Sequence, residues 1–129
     1  QESIKQKRKM SAYYFNHLHA LPGIITPVEK PWTKSVYWMY AIRVIKNKYG
    51  MSKNALMDKL NAHGIQTRSF FYAPKTAFKK IGAYKHLNTP IAQQCEKEGV
   101  YLPSGLGNTK GEFSAVIENL ISNNSLRYK

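Results

Sequence analysis

The stretch Gly64–Tyr72 brings together the residue types most able to contact a ligand. It places Arg68 just before three aromatic rings, at Phe70, Phe71 and Tyr72. Successive side chains of a strand point to opposite faces, so both faces here carry rings. One interpretation is a strand covered on both sides, with Arg68 paired to a carboxylate of the same chain. The other is a strand end that presents a cation and rings to an external anion or partner, because an arginine binds carboxylates and phosphates through paired hydrogen bonds.

The charge distribution favours an anionic partner. The 129 residues carry a formal net charge of +13 and include only 7 acidic residues. No acidic residue lies between Glu29 and Asp58, or between Asp58 and Glu96. A surface of this kind attracts nucleotide phosphates, nucleic acid or an acidic face of another domain, and charge alone does not choose among them.

Composition predicts one compact domain in a reducing compartment, the cytoplasm. The single cysteine, Cys95, excludes an internal disulfide. No apolar run reaches the ~18 residues that a membrane span needs, and the basic N-terminus lacks the apolar core of a signal peptide. Because the first residues already have a helical pattern, we expect a fragment of a longer protein.

Hydrophobic periodicity and end signals predict four helices. The first closes at Pro22-Gly23, the second runs from an N-cap at Ser52 to Gly64, and the third opens at Thr89-Pro90 and ends at Gly99. A capping box at Thr109 and Glu112 opens the last. The first helix has this apolar stripe: Ile4, Ser11, Phe15, Leu18 and Leu21.

The strand patterns predict a small mixed sheet of about three strands in the α/β (α+β) class. Tyr37–Ile45 reads as a central strand covered on both sides, with Trp38 on its wholly apolar face. Ile65–Tyr72 and Val100–Leu102 are the other two. The basic segment Lys75–Lys85 is long for a connector, and long loops in compact domains are usually functional.

Metal and nucleophile chemistry find little support. His17 and His19 point to different faces of one helix, and neither His63 nor His86 has further ligands at a suitable spacing. We therefore expect no metal site. Cys95 falls on the inner stripe of its helix, where thiols are usually inert. We predict no catalytic and no cofactor-binding residue in this chain.

Two further binding functions are compatible with parts of the sequence. The glycine-rich run Gly105–Thr109 enters a helix but lacks the lysine and spacing of a phosphate loop, so a plain turn is the better interpretation. A free-standing nucleic-acid-binding module is the main alternative function, because bases stack on rings interleaved with cations. The residues that support it are Tyr37, Trp38, Tyr40, Arg43, Arg68, Phe70, Phe71 and Tyr72.

Taken in order, four segments resemble the C-terminal domain of the DegT/DnrJ/StrS family of pyridoxal-phosphate-dependent nucleotide-sugar aminotransferases, with perosamine-synthase-like members the most similar. Arg8–Ile24 looks like the family's long helix and its Leu-Pro-Gly exit, and Val36–Tyr40 looks like its first small-domain strand. Leu60–Phe71 is similar to the pattern Leu-x-x-x-Gly-Ile-x-Thr-Arg-x-Phe-Phe. Thr89–Gly105 looks like the Pro-x-Ala to Leu-Pro-Ser-Gly ending.

This resemblance implies the small domain of an aspartate-aminotransferase-type (fold type I) enzyme, with residues 1–22 as a linking helix, 23–122 as the domain and 123–129 as a frayed tail. It implies transfer of an amino group from an amino acid to a keto-sugar nucleotide, in a homodimer that uses pyridoxal phosphate. Lys75 stands where the family commonly has histidine. The substrate-binding residues so implied are Arg68, Phe70, Phe71, Tyr72 and Lys75, with the Lys75–Lys85 loop near the nucleotide diphosphate or a partner subunit.

The resemblance also implies what this chain lacks. In the family, the lysine that binds the cofactor covalently precedes the matched segment, and no lysine here fits its motif. We therefore expect the chain to bind no cofactor alone and to act with a missing large domain.

Overall fold

The computed structural model describes residues 1–78 and 86–125. The elements it describes, in chain order, are α1 (Glu2–Leu18), β1 (Ile24–Ile25), β2 (Tyr40–Val44), α2 (Lys46–Tyr49), α3 (Lys53–Ala62), β3 (Arg68–Ser69), α4 (Pro74–Ala77), α5 (Pro90–Glu98), β4 (Gly99–Leu102) and α6 (Lys110–Ser122). Residues 79–85 of the predicted basic loop and residues 126–129 of the predicted tail lie outside the described residues. Within the described ranges, no helix has the length and apolarity needed to cross a membrane.

The strands form one sheet in the order β1-β2-β4-β3, and each described pair is antiparallel. The predicted α/β (α+β) class is confirmed. The sheet has four strands rather than three, because the two-residue β1 is too short to leave a periodic signal, and it is antiparallel rather than mixed. In the register, Ile42 lies opposite Val100 and Arg68 lies opposite Tyr101.

One face of the sheet, the core face, carries the hydrophobic core. Tyr40, Ile42 and Val44 alternate into it from β2, and Val100 and Leu102 join them from β4. Helices α1, α3 and α6 cover this face with apolar side chains. Their fully or almost fully buried members are Met10, Tyr14, Leu18, Leu56, Leu60, Val116, Ile117 and Leu120.

The predicted stripe of the first helix is buried at Ser11, Leu18 and Leu21 but not at its other two positions. Phe15 and Ile4 are 44% and 40% exposed, whereas Tyr14 is fully buried. The ring of Tyr14 stacks on Tyr40 with centroids 4.8 Å apart, and its hydroxyl donates to the Pro103 carbonyl at 2.8 Å. The helix turns this way because a tyrosine can enter a core when its hydroxyl finds an acceptor.

Two predicted strands are shorter than expected. The first begins at Tyr40 rather than Tyr37, because Tyr37 adopts a left-handed backbone with φ 46° that interrupts an extended chain. The second is limited to Arg68–Ser69, since Ile65 still belongs to the end of α3: its N–H donates to the Leu60 carbonyl at 2.9 Å.

Three helix ends follow the predicted signals, whereas α1 ends at Leu18, before the predicted Pro22-Gly23, and the Thr89 side chain makes no capping bond to α5 among the described residues. Ser52 caps α3, Gly64 ends it with a left-handed φ of 75°, and Thr109 and Glu112 form both bonds of the capping box. Gly99 does not repeat the Gly64 arrangement, because its φ is −81° and it begins β4. A Cβ there would lie 2.7 Å from Cβ of Phe70 and 2.5 Å from the Cys95 carbonyl oxygen. Glycine at 99 thus permits close packing rather than an unusual turn.

Candidate functional site

Arg68 lies on the edge strand β3 with its side chain exposed. Among the described residues, its guanidinium makes no hydrogen bond and no ion pair. Four of the 7 acidic residues are engaged elsewhere, namely Glu29, Glu96, Glu98 and Glu112. The cation therefore remains available to an external anion, the second of the two interpretations that the sequence left open.

An open groove of about 510 Å³ runs beside Arg68, between α3 and the end of β4. We call it the edge groove. Asp58 and Asn61 of α3 line it together with Arg68, Tyr101 and Ser104. A guanidinium, a carboxylate, an amide and a hydroxyl along one groove suit a ligand with both an anionic group and hydroxyls, such as a sugar phosphate.

Phe70 and Phe71 of the predicted site form a ring cluster with two residues from other parts of the chain. Phe70 stacks on Tyr101 at 5.2 Å, and Phe71 meets Tyr101 edge-on at 5.7 Å. Trp38 lies nearly parallel to Phe71, at 6.5 Å between centroids and 18° between planes. We define the ring cluster as Trp38, Phe70, Phe71 and Tyr101.

The ring cluster is solvent-facing on one side. Tyr101 is only 7% exposed, whereas Trp38 and Phe71 are 63% and 62% exposed. Sugar and base rings pack on such faces, since stacking needs only an accessible π surface. The sequence pattern placed Trp38 on the core face with Tyr40, and the structure corrects this, because the left-handed Tyr37 removes the segment from the strand.

The other two predicted site residues lie apart from the ring cluster. Tyr72 is 73% exposed and makes none of the ring contacts found among the described residues. Lys75 is exposed in the single turn α4. The structure thus brings together Arg68, Phe70 and Phe71, with Tyr101 linking them, and leaves Tyr72 and Lys75 beside the group.

Sequence reasoning missed Tyr101 and named Trp38 only for the alternative nucleic-acid-binding module. Tyr101 had a usable signal, because it alternates with the core-facing Val100 and Leu102 and must point to the other face. Trp38 had none, since its position depends on the left-handed backbone of a non-glycine residue.

A polar network holds residues 26–39, the connector between β1 and β2 that carries Trp38. Arg8 donates to Glu29 Oε1 at 3.0 Å and to the Ser35 carbonyl at 2.7 Å, while the Tyr37 hydroxyl donates to Glu29 Oε2 at 3.0 Å. The bond from Arg8, then that from the Ser35 N–H, lowers the pKa of Glu29 below its usual range. The bond to Glu29 likewise raises the pKa of Arg8. The ion pair anchors the connector to α1.

The sheet face opposite the core, which we call the open face, is only partly covered. Ile25, Ala41, Arg43 and Tyr101 lie on it by strand register. Helix α5 reaches it through Glu98, whose carboxylate accepts from Arg43 Nη2 at 2.6 Å and Nε at 3.0 Å. A groove of about 310 Å³ remains there.

The open-face groove also corrects the position of Cys95. Its thiol lines the groove and is half-buried, so Cys95 is not the core residue that the helical stripe predicted. Ile25, Val28 and Phe70 line the same groove.

The residues present do not fit a covalent pyridoxal phosphate site. Lys53 is the one buried lysine of the described part, and its ammonium is taken up by two acceptors at 2.6 Å. A lysine that reacts with a cofactor needs a free amine in a pocket that also holds the ring and phosphate. The N-terminus of α6 is closed by its own capping box.

Metal ligation has no geometric basis in the described residues either. They contain no group of three or more potential His, Cys, Asp or Glu ligands. His17, His19 and His63 each share a hydrogen bond of 2.8–2.9 Å with the carbonyl four residues earlier in their helix.

Comparison with known proteins gives consistent relatives. A sequence profile of the DegT/DnrJ/EryC1/StrS aminotransferase family matches residues 1–121. The GDP-perosamine synthase of Caulobacter vibrioides is 26% identical over 123 residues, which cover 92% of this chain and 32% of that protein. The GDP-perosamine synthase of Vibrio cholerae is 29% identical over 108 residues, covering 81% and 28%. The chain therefore spans about a third of the curated relatives it matches.

Solved structures share the fold. The crystal structure of DesI in the presence of its TDP-sugar product superposes with a TM-score of 0.81 at 20% identity, covering 96% of this chain and 31% of that one. The similarity again covers nearly all of this chain and a third of the relative.

Proposed function

The chain belongs to the DegT/DnrJ/EryC1/StrS aminotransferase family, and we propose that it is the small C-terminal domain of a pyridoxal-phosphate-dependent nucleotide-sugar aminotransferase. The whole protein would transfer an amino group from an amino acid to a keto-sugar nucleotide. One observation carries this proposal: the family profile spans residues 1–121, yet the chain corresponds to only 28–32% of its curated relatives.

The proposal keeps the domain limits expected from the sequence. Residues 1–22 form the linking helix and its exit, and residues 23–122 form the small domain. Helix α1 is part of the same folded unit, because Tyr14 and Leu18 are fully buried in the common core. A large domain carrying the cofactor-binding lysine supplies the remaining two-thirds of the protein.

The substrate contacts lie at the edge groove and the ring cluster. Arg68 is available for an anionic group such as the nucleotide diphosphate, and the exposed rings of Trp38 and Phe71 offer stacking surfaces for a sugar or base. Tyr72 and Lys75 extend this surface. The relatives named as GDP-perosamine synthases support a nucleotide-linked sugar as the ligand class.

The open face is the surface for the large domain. Apolar side chains are left exposed there and at its rim, with Ile25 at 42%, Val28 at 74% and Trp38 at 63%. A contiguous apolar surface of this kind usually marks an interaction site. The proposal includes a homodimer of the whole protein and a cytoplasmic location, the latter because a lone cysteine suits a reducing compartment.

The non-catalytic character of the chain alone is testable with borohydride trapping. Purified chain is incubated with pyridoxal phosphate, reduced and analysed by mass spectrometry. We expect only substoichiometric labelling spread over exposed lysines, because Lys53 is already hydrogen-bonded. A single adduct near stoichiometry would overturn the proposal that the cofactor-binding lysine lies outside this chain.

A matched measurement on the complete product of the native gene tests the family function. That protein should trap one cofactor per chain and aminate a keto-sugar nucleotide with an amino-acid donor. A gene product no longer than this chain, or one without transaminase activity, contradicts the proposal.

A free-standing nucleic-acid-binding module remains the alternative, and one observation favours it. The exposed rings of Trp38 and Phe71 lie in a chain of net charge +13. Titration of single-stranded DNA over a salt series separates the two functions. Submicromolar binding with a steep log–log salt slope favours the alternative, and weak binding lost at physiological salt favours the aminotransferase domain.

A further inference from the structure

Two charged residues outside the predicted site hold both ends of the segment that carries it. We propose that Lys53 and Glu96 are positioning residues that set the path of Arg68–Tyr72, and so determine where Arg68 and the rings are presented. The inference rests on the proposed substrate role of this segment and adds the two residues that orient it.

Lys53 holds the first end of the segment. It lies in the first turn of α3 and is 8% exposed. Its Nζ donates to the Ser69 hydroxyl at 2.6 Å and to the Glu96 carbonyl at 2.6 Å, which ties β3 to α5. β3 has only two residues on the edge of the sheet, so its ladder bonds alone are a weak tether.

Glu96 holds the second end. Its Oε2 accepts from the Ala73 N–H at 3.0 Å and from the Thr76 hydroxyl at 2.8 Å. Ala73 is 2% exposed and precedes the single turn α4. Between the two ends, one backbone bond fixes the segment, from the Phe70 N–H to the Gly99 carbonyl at 3.0 Å.

The buried ammonium of Lys53 is stable only with its hydrogen-bond partners in place. Burial lowers the pKa of Lys53, and the charge of Glu96 opposes that shift. An ammonium in this position depends on its acceptors, because a buried charge that loses its partners is strongly unfavourable. The two residues therefore act together.

The positions of Lys53 and Glu96 indicate a local role. Neither residue belongs to the hydrophobic core, which is built from the core face and from α1, α3 and α6. One target of each residue, Ser69 for Lys53 and Ala73 for Glu96, lies on either side of the rings Phe70 and Phe71. Loss of either clamp should release the segment while the core stays intact.

Amide hydrogen exchange by NMR, together with tryptophan emission, tests the proposal on the whole chain. In a Trp32→Phe background Trp38 is the only tryptophan, and it reports the nearby ring of Phe71. We expect Glu96→Ala to speed exchange at the Ala73 amide about tenfold or more, since a hydrogen bond to a charged group is lost. Lys53→Met should do the same at the Phe70 amide, which donates to the Gly99 carbonyl and follows the tethered Ser69.

Both variants should change Trp38 emission in the same direction as Phe71→Ala, and Lys53→Arg, which keeps the donors, should restore it. Lys97→Met and Glu118→Gln are the matched controls. Both residues lie in helices with exposed side chains, and these side chains make no hydrogen bond within the described part of the chain. They should change neither signal.

Unchanged exchange and unchanged Trp38 emission in folded Lys53→Met and Glu96→Ala overturn the proposal. Equal acceleration at Val100 and Leu102 also overturns it, because that result means a general loss of structure. If either variant does not fold, Thr76→Val decides: this exposed substitution removes one bond to Glu96 and should speed exchange within α4, and no change there counts against the proposal. These readouts need no ligand, so they can fail or succeed independently of the aminotransferase assignment.

Discussion

The core face and the open face of the same sheet differ most in how they treat aromatic rings. On the core face Tyr40 is 1% exposed beneath the ring of Tyr14, whereas beside the open face Trp38 and Phe71 are 63% and 62% exposed. Ring content therefore does not identify the core in this chain. Coverage by helices does, since α1, α3 and α6 all pack on one side. The open face keeps apolar surface that contributes little to folding and suits contact with a ligand or another domain.

The largest expected difference is in the free energy of unfolding lost when Ile42 or Phe71 is replaced by alanine. Ile42→Ala should lower the free energy of unfolding by about 2–5 kcal/mol, because it leaves a cavity in the core. Phe71→Ala should cost less than about 1 kcal/mol, since that ring is mostly in solvent. Urea unfolding followed by circular dichroism measures both. Equal losses mean that the open face is part of the core.

Gly99→Ala tests how closely β4 packs against Phe70 of the ring cluster. The new methyl group meets Cβ of Phe70 at 2.7 Å, so we expect a loss of about 1–3 kcal/mol and a change in Trp38 emission. Gly107→Ala is the control, because nothing lies within 4 Å of its added Cβ. An unaltered emission spectrum in Gly99→Ala contradicts the close contact of Gly99 with Phe70.

Two buried tyrosines on the core side offer a matched pair. The Tyr40 hydroxyl has no hydrogen-bond partner among the described residues, whereas that of Tyr49 donates to the Leu120 carbonyl at 2.6 Å. Tyr40→Phe should be neutral or stabilising by up to about 1 kcal/mol, and Tyr49→Phe should destabilise by about 1 kcal/mol. Thermal unfolding at neutral pH gives the sign. A loss in Tyr40→Phe equal to that in Tyr49→Phe would show that the Tyr40 hydroxyl has an acceptor.

Burial raises the pKa of both phenols. A raised acid pKa gives stability that is complete below the unfolded value of about 10 and is lost as the pH rises above it. Tyr40→Phe and Tyr49→Phe should therefore each flatten the decline in stability at alkaline pH. An unchanged decline in both variants contradicts the assignment of that decline to these phenols.

The smallest expected effect concerns the connector that carries Trp38. The pKa of Glu29 is lowered, so the stabilisation it gives is present above about pH 4 and is lost as the pH falls through its folded value. Trp38 emission in the Trp32→Phe background should change in this acid range, and Glu29→Gln should remove that change. Persistence of the transition in Glu29→Gln assigns it to another group.

Local signals predicted the ends of α3 and the start of α6 well, because a cap depends on nearby residues, but they placed the end of α1 too late. The Ser52 cap, the Gly64 end and the Thr109–Glu112 box all follow from side chains within a few positions. Strand ends were predicted less well, since Tyr37 leaves the extended conformation in a way that its residue type does not encode. The role of Gly99 could not be predicted either, because glycine is required there by contact with Phe70, which is far away in sequence.

The geometry of the candidate site was predicted in part. The sequence singled out Gly64–Tyr72, and the free guanidinium of Arg68 agrees with a count of few acidic residues. Lys53 and Glu96 escaped notice, and Trp38 was named only for the alternative function, because each contributes through a partner from another element. Pairwise contacts of this kind leave no periodic pattern in a single sequence.

The most direct test of the central claim, that the open face serves the rest of a larger aminotransferase, is hydroxyl-radical footprinting of the complete gene product against the isolated chain. We expect Trp38, Phe71 and Val28 to be modified much more slowly in the complete protein, while the buried Tyr40 and Tyr49 are unreactive in both. Equal modification of Trp38 and Phe71 in the two proteins would contradict the claim.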